Sequence, residues 1–77
     1  MNRVMLIGNC TFVSEDYLVL KVDDFGEFKL FFNEVININY IEINKLTKVE
    51  GQLVYKDFPF PVVEILKVFQ LKDEEVQ

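Results

Sequence analysis

Tyr17, Lys21, Lys29 and Phe31 sit in two short segments either side of a turn-rich stretch, at spacings that bring all four to one surface if the segments pair antiparallel. Flat rings beside ammonium groups suit a flexible, single-stranded nucleic acid. A base of any kind can stack on a ring for about 1–3 kcal/mol, while the cations meet the phosphates. A second group, Tyr55, Lys56, Phe58 and Phe60, lies in a stretch broken by Pro59 and Pro61, with Arg3 and Lys48 as further cations. These ten residues form the candidate nucleic-acid-binding set. Other readings stay open: Phe31 could pack under residues 34–44, and Phe58 and Phe60 could cap a barrel end or form an apolar patch for a protein partner. Arg3 could be a solvated or interface residue.

Charge weighs against a strong general coat for nucleic acid. Eight Lys and Arg oppose thirteen Asp and Glu, for a net charge of −5, so the chain as a whole repels a phosphate backbone. Asp23, Asp24 and Glu27 lie close in sequence to Lys21 and Lys29. A local basic groove remains compatible with that total, because a potential depends on where charges sit.

Catalysis has little to work with. There is no His, no Gly-rich phosphate cradle and no acid pair at a diagnostic spacing, so the expectation is a non-enzyme without cofactor or metal. Cys10 is the single cysteine; it permits no intrachain disulfide and reads as a small buried hydrophobe. Met1 leads straight into a patterned strand without a signal-peptide layout, and no apolar run nears the roughly 18 residues of a membrane helix. A cytoplasmic protein with no membrane contact is expected.

The elements that must position these groups are mostly strands. Seventy-seven residues, 51% hydrophobic and with eight Phe, make one small domain over residues 1–72, followed by an acidic, frayed tail at 73–77. Strands are expected at 4–13, with Gly8 marking a bulge or bend, and at 17–22 and 27–33 around a hairpin whose Gly26 takes positive φ. Leu18, Leu20, Val22, Phe28, Leu30 and Phe32 would then face inward. Residues 34–44 fit a helix with a stripe of Ile36, Tyr40 and Ile43 capped by Asn33, and fit a strand equally well. A strand at 46–56, a loop at 57–61 and a last strand from Val62 to about Leu71 complete the chain. Five strands in so short a chain gain most by closing on themselves. The expected fold is all-β, or β-rich with one short helix: a small five-stranded OB-type Greek-key barrel, with an SH3-like barrel as rival.

The opening Met1-Asn2-Arg3-Val4-Met5-Leu6-Ile7-Gly8 resembles the start of bacterial single-stranded DNA-binding proteins. Lys45 to Leu53 (KLTKVEGQL) looks like that family's fourth strand, and Val63-Glu64-Ile65 stands where its last strand begins. The resemblance implies an OB barrel first, with single-stranded DNA as partner and a protein partner in DNA replication; strand edges such as Val4 to Ile7 can pair between subunits, so a homodimer or homotetramer is expected whichever function holds. The chain departs from the family in being shorter, in lacking Trp, and in ending Asp73-Glu74-Glu75-Val76-Gln77 without the family's Pro-Phe tip. Non-catalytic binding of single-stranded DNA is therefore the leading expectation. The alternative is an OB-fold interaction or oligomerisation module that no longer binds DNA, motivated by the net charge, the missing Trp and the apolar Phe58-Pro59-Phe60 stretch.

Overall fold

The computed structural model describes residues 2–33, 38–55, 57 and 59–70. Five strands carry the chain: β1 (Arg3–Val13), β2 (Tyr17–Val22), β3 (Gly26–Phe32), β4 (Lys45–Val54) and β5 (Val62–Gln70). They close in the order β1-β2-β3-β5-β4. The first three form an antiparallel meander and β4 returns beside β1, which is the Greek key. Strand β5 hairpins back on β4 and closes the barrel through a short parallel pairing with β3 at Leu30–Val63, Phe31–Glu64 and Phe32–Ile65. This is the expected all-β OB-type barrel rather than its SH3-like rival, by its strand order and parallel β3–β5 closure.

Alternation along the strands builds the interior. Cys10, Leu18, Leu20, Leu30, Val49 and Ile65 are fully or almost fully buried, with Phe32 beside them, and Val22 and Phe28 pack against this core from partly buried positions. Thr47 is the one buried polar side chain among the described residues. Its hydroxyl donates to the Lys45 carbonyl at 2.9 Å and accepts from Gln70 Nε2, also at 2.9 Å, so no polar atom is stranded.

Two local expectations need correction. Gly8 pairs regularly with Thr47; the bulge falls three residues later, where the register to β2 shifts between Cys10 and Phe12. Gly8 is needed for a different reason: a Cβ there would drive into the Lys21 carbonyl oxygen. Residues 38–44, the described part of the ambiguous segment, are neither α-helix nor strand. Ile38–Tyr40 makes one 3-10 turn, and Tyr40 and Ile43 are exposed rather than aligned on a buried stripe. Anchors at its far end explain the irregular path. The Asn44 N–H donates to the Cys10 carbonyl at 2.6 Å, the Glu42 N–H donates to Gln70 Oε1 and Gln70 Nε2 donates back to the Glu42 carbonyl. The acidic tail at 73–77 lies outside the described residues. Among those described, no helix is long and apolar enough to cross a membrane.

Candidate nucleic-acid interface

The β2–β3 register sets the face. Tyr17 pairs with Phe31, Val19 with Lys29 and Lys21 with Glu27, and all of these side chains point outward because their neighbours Leu18, Leu20 and Leu30 fill the barrel. The entry to β2 is held by a serine turn. Ser14 Oγ accepts from the Asp16 and Tyr17 N–H groups, and the Ser14 N–H donates to the Tyr17 carbonyl at 2.9 Å. The Phe32 N–H reaches back to the Asp16 carbonyl at 2.9 Å. Tyr17 therefore stands on a short connection tied by several hydrogen bonds.

A third ring joins from β1. The bulge leaves Thr11 without a cross-strand partner, and its hydroxyl donates to the Val19 carbonyl at 3.5 Å. One extra residue flips the alternation, so Phe12 faces outward opposite Val19 although Cys10 and Val13 both turn towards the core. The rings of Phe12 and Tyr17 lie 5.7 Å apart at 36°, and those of Tyr17 and Phe31 5.8 Å apart at 57°. Tilted packing of this kind is worth about 0.5–1.5 kcal/mol per pair.

Lys29 completes the row, its Nζ 4.5 Å from the centre of the Tyr17 ring. At an exposed site such a contact is worth about 0.5–1 kcal/mol, less than the roughly 1–3 kcal/mol of a stacked base. Beside this row, Phe28, Lys29, Phe31, Phe60, Pro61 and Val63 line an open apolar cleft of about 310 Å³ where β3 runs past the start of β5.

The predicted residues separate into groups. Tyr17, Lys29 and Phe31 are together, with Phe60 across the cleft and Lys21 on the same face beside Asn9 and Glu27. Tyr55 is exposed just past the end of β4. Lys56 and Phe58 lie outside the described residues. Arg3 and Lys48 are elsewhere: Arg3 pairs with Gln52 at the far end of β1, and Lys48 sits on the outer side of β4 with its Nζ 5.0 Å from the Phe69 ring. Placement on β4 puts Lys48 in another patch, where Ile7, Leu46, Lys48 and Phe69 line a groove of about 350 Å³. Sequence reasoning missed Phe12, Phe69 and Phe25, the last 77% exposed at the tip of the β2–β3 hairpin. Only Phe12 had no legible signal, since simple alternation from Cys10 points it inward.

No family model matches the chain, and no curated protein does. Among solved structures, the hypothetical protein ygiW from E. coli superposes with a TM-score of 0.63 over 90% of this chain and 74% of that one, at 19% identity. At that identity the likeness establishes the small-barrel fold and nothing further.

Proposed function

We propose that the chain is a non-catalytic single-stranded nucleic-acid-binding protein, related to the bacterial single-stranded DNA-binding family that its opening resembles. The observation that carries this reading is the row Phe12–Tyr17–Phe31 with Lys29 on its central ring. It lies on the strand 2–3 face and beside the loop between strands four and five, the surfaces OB barrels use for oligonucleotides. Tyr17, Phe31 and Phe12 take bases, Phe60 closes the cleft side, and Lys21 and Lys29 meet phosphates. With so few cations the affinity is modest. Fluorescence anisotropy of a labelled, roughly 30-nucleotide oligo-dT, at low and near-physiological salt, tests it. Micromolar binding that weakens with salt is expected; no binding at low salt sinks the reading.

A second reading, an interaction module, is favoured by one specific observation. Met5, Ile7, Leu46 and Phe69 are each about half exposed or more and share the outer side of β1, β4 and β5. A contiguous apolar patch of that kind marks a protein contact. A second copy of the chain suits it, because Lys48, Lys67 and Glu50 are interleaved on the same face and can pair across a two-fold axis. The β2-side edge of Arg3 to Ile7 also has no strand partner among the described residues. Mass measurement by light scattering, with and without Phe69→Ala, tests this reading.

A further inference from the structure

The strand registers rule the apolar patch on β1, β4 and β5 into rows. One row reads Ile7, Lys48, Phe69 and the next Met5, Glu50, Lys67. All six side chains are outward, since Val49 and the partly buried Leu6 and Val68 alternate with them against the core. Ile7, Met5 and Phe69 are exposed, and Lys48 and Glu50 are half-buried at the centre. Glu50 has Lys48 two residues along its own strand and Lys67 opposite it on β5, yet none of the three makes an ion pair with another described residue. Lys48 lies instead over the Phe69 ring. Two opposite charges one row apart in the middle of an apolar patch make that patch complementary to itself in one particular orientation.

We propose that this face packs on the same face of a second copy about a two-fold axis that runs across the strands, midway between the two rows. The inference rests on the reading of the patch as a self-contact and adds its orientation. An axis across the strands and between the rows turns Ile7 onto the second copy's Met5, Lys48 onto its Glu50 and Phe69 onto its Lys67. Each contact then occurs twice, which gives two apolar pairs, two ion pairs and two lysine–ring contacts. Moving that axis onto the Lys48 row or the Glu50 row sets a like-charged pair at the centre. An axis along β4 does the same for both residues. An axis along the strands between β4 and β5 joins Glu50 to Lys67 but leaves Ile7 and Met5 uncovered. Stacked sheets lie about 10 Å apart and cross at about 30°, so only the rows beside the axis stay opposite each other, and these are the two rows. The ion pairs add little affinity, but reversing one sets like charges together, which costs far more. Their role is to select the orientation. Three strands about 4.8 Å apart make a face smaller than the roughly 800 Å² per partner of a standard interface, so the association is weak, micromolar or above.

The test is a charge swap read by sedimentation equilibrium, with protein from about 10 μM to about 1 mM. Wild-type mass should rise towards twice that of the chain over this range. Lys48→Glu and Glu50→Lys, taken singly, each set like charges opposite at two places and should weaken self-association roughly tenfold or more. Mixed in equal amounts, the two variants should associate again, because each carries the charge that the other has lost. The double variant Lys48→Glu/Glu50→Lys should self-associate as wild type does. Thermal melts of all three variants confirm that the barrel is intact. Single variants that associate like wild type overturn the proposed orientation and leave the self-contact reading standing. A mixture that stays monomeric does the same, and is the result expected of an axis between β4 and β5. A wild type that stays monomeric across the whole range overturns both.

Discussion

The outer side of β1–β2–β3 and the outer side of β1–β4–β5 are built from one ingredient, an aromatic ring with a lysine laid on it: Lys29 at 4.5 Å from Tyr17 on the first, Lys48 at 5.0 Å from Phe69 on the second. Their surroundings differ. Tyr17 has a ring on each side, Phe12 and Phe31, whereas Phe69 shares its groove with Ile7 and Leu46. Successive bases need successive rings, and a row supplies them. A single ring among aliphatic side chains supplies shape and apolar area, which another protein can use and a nucleic acid largely cannot. The ring–lysine pair is therefore uninformative alone; its neighbours decide the ligand class.

The largest effect should come from what the two faces share. Leu20 is fully buried, pairs with both Cys10 and Phe28, and supports β2 from behind. Leu20→Ala should cost about 2–5 kcal/mol, against a total of about 4–12 kcal/mol for a chain of this length. Urea unfolding would show it as a lower midpoint at unchanged slope, with nucleic-acid binding and self-association declining together. A variant that damages one face alone would show that the faces are not coupled through this core.

Crossed substitutions are the next step down and separate the faces directly. Tyr17→Ala should weaken oligo-dT binding roughly fivefold to a hundredfold or more, from the loss of about 1–3 kcal/mol of stacking, while the mass in solution stays constant. Phe69→Ala should lower the mass and leave the oligonucleotide affinity unchanged. If Phe69→Ala weakens the oligonucleotide instead, the second patch is part of one continuous nucleic-acid surface and the contrast collapses. Phe12→Ala should cost less than Tyr17→Ala, since Phe12 ends the row.

Much of this contrast was legible before the fold was known. The alternation of Leu18, Leu20, Leu30 and Phe32 against Tyr17, Val19, Lys29 and Phe31 fixes the β2–β3 face, because a two-residue period leaves no other assignment once one side is buried. The hairpin was legible from Gly26, whose φ is 96°, although Asp24 also takes a positive φ of 69°. Phe12 was not legible: bulges carry no reliable residue signature, and Gly8 drew the expectation to the wrong position. The position of Lys48, away from the Tyr17 row, was not legible for a related reason. Lys48 is a suitable cation on a correctly expected strand of the expected barrel, but which outer side chains it meets depends on the exact register of β4 against β1 and β5, which sets Lys48 opposite Ile7 and Phe69 and which local pattern does not encode.

Salt gives a smaller and sharper discrimination. If only Lys21 and Lys29 neutralise phosphates, the logarithm of the binding constant should fall with a slope of about −1.4 against the logarithm of salt, or roughly sevenfold weaker binding from 50 to 200 mM. A markedly steeper slope would mean that Arg3 or Lys48 also reaches the strand, so that the path wraps from one face to the other. Self-association through the apolar patch should respond more weakly in the same range, since hydrophobic burial is not screened and the ion pairs of Lys48, Lys67 and Glu50 across the axis, which are, contribute little.

The smallest expected effect belongs to Cys10, at the point where β1 pairs with β2 through Leu20 and with β4 through Lys45. Burial pushes its thiol above the ordinary range. The folded chain thus holds the thiol proton more tightly than the unfolded chain, which releases it first as pH rises. Stability linked to this group is complete below the ordinary thiol pKa and drains away as pH climbs from that value through the raised one. Urea midpoints across mildly to strongly alkaline pH should fall more steeply for wild type than for Cys10→Ala, with the difference isolating the thiol from lysine and tyrosine titration. Both faces should weaken in step along that decline, because the residue lies beneath the strand they share. Loss of oligonucleotide binding well before loss of self-association would show that the β1–β2 seam, bulge included, opens ahead of the β1–β4 seam.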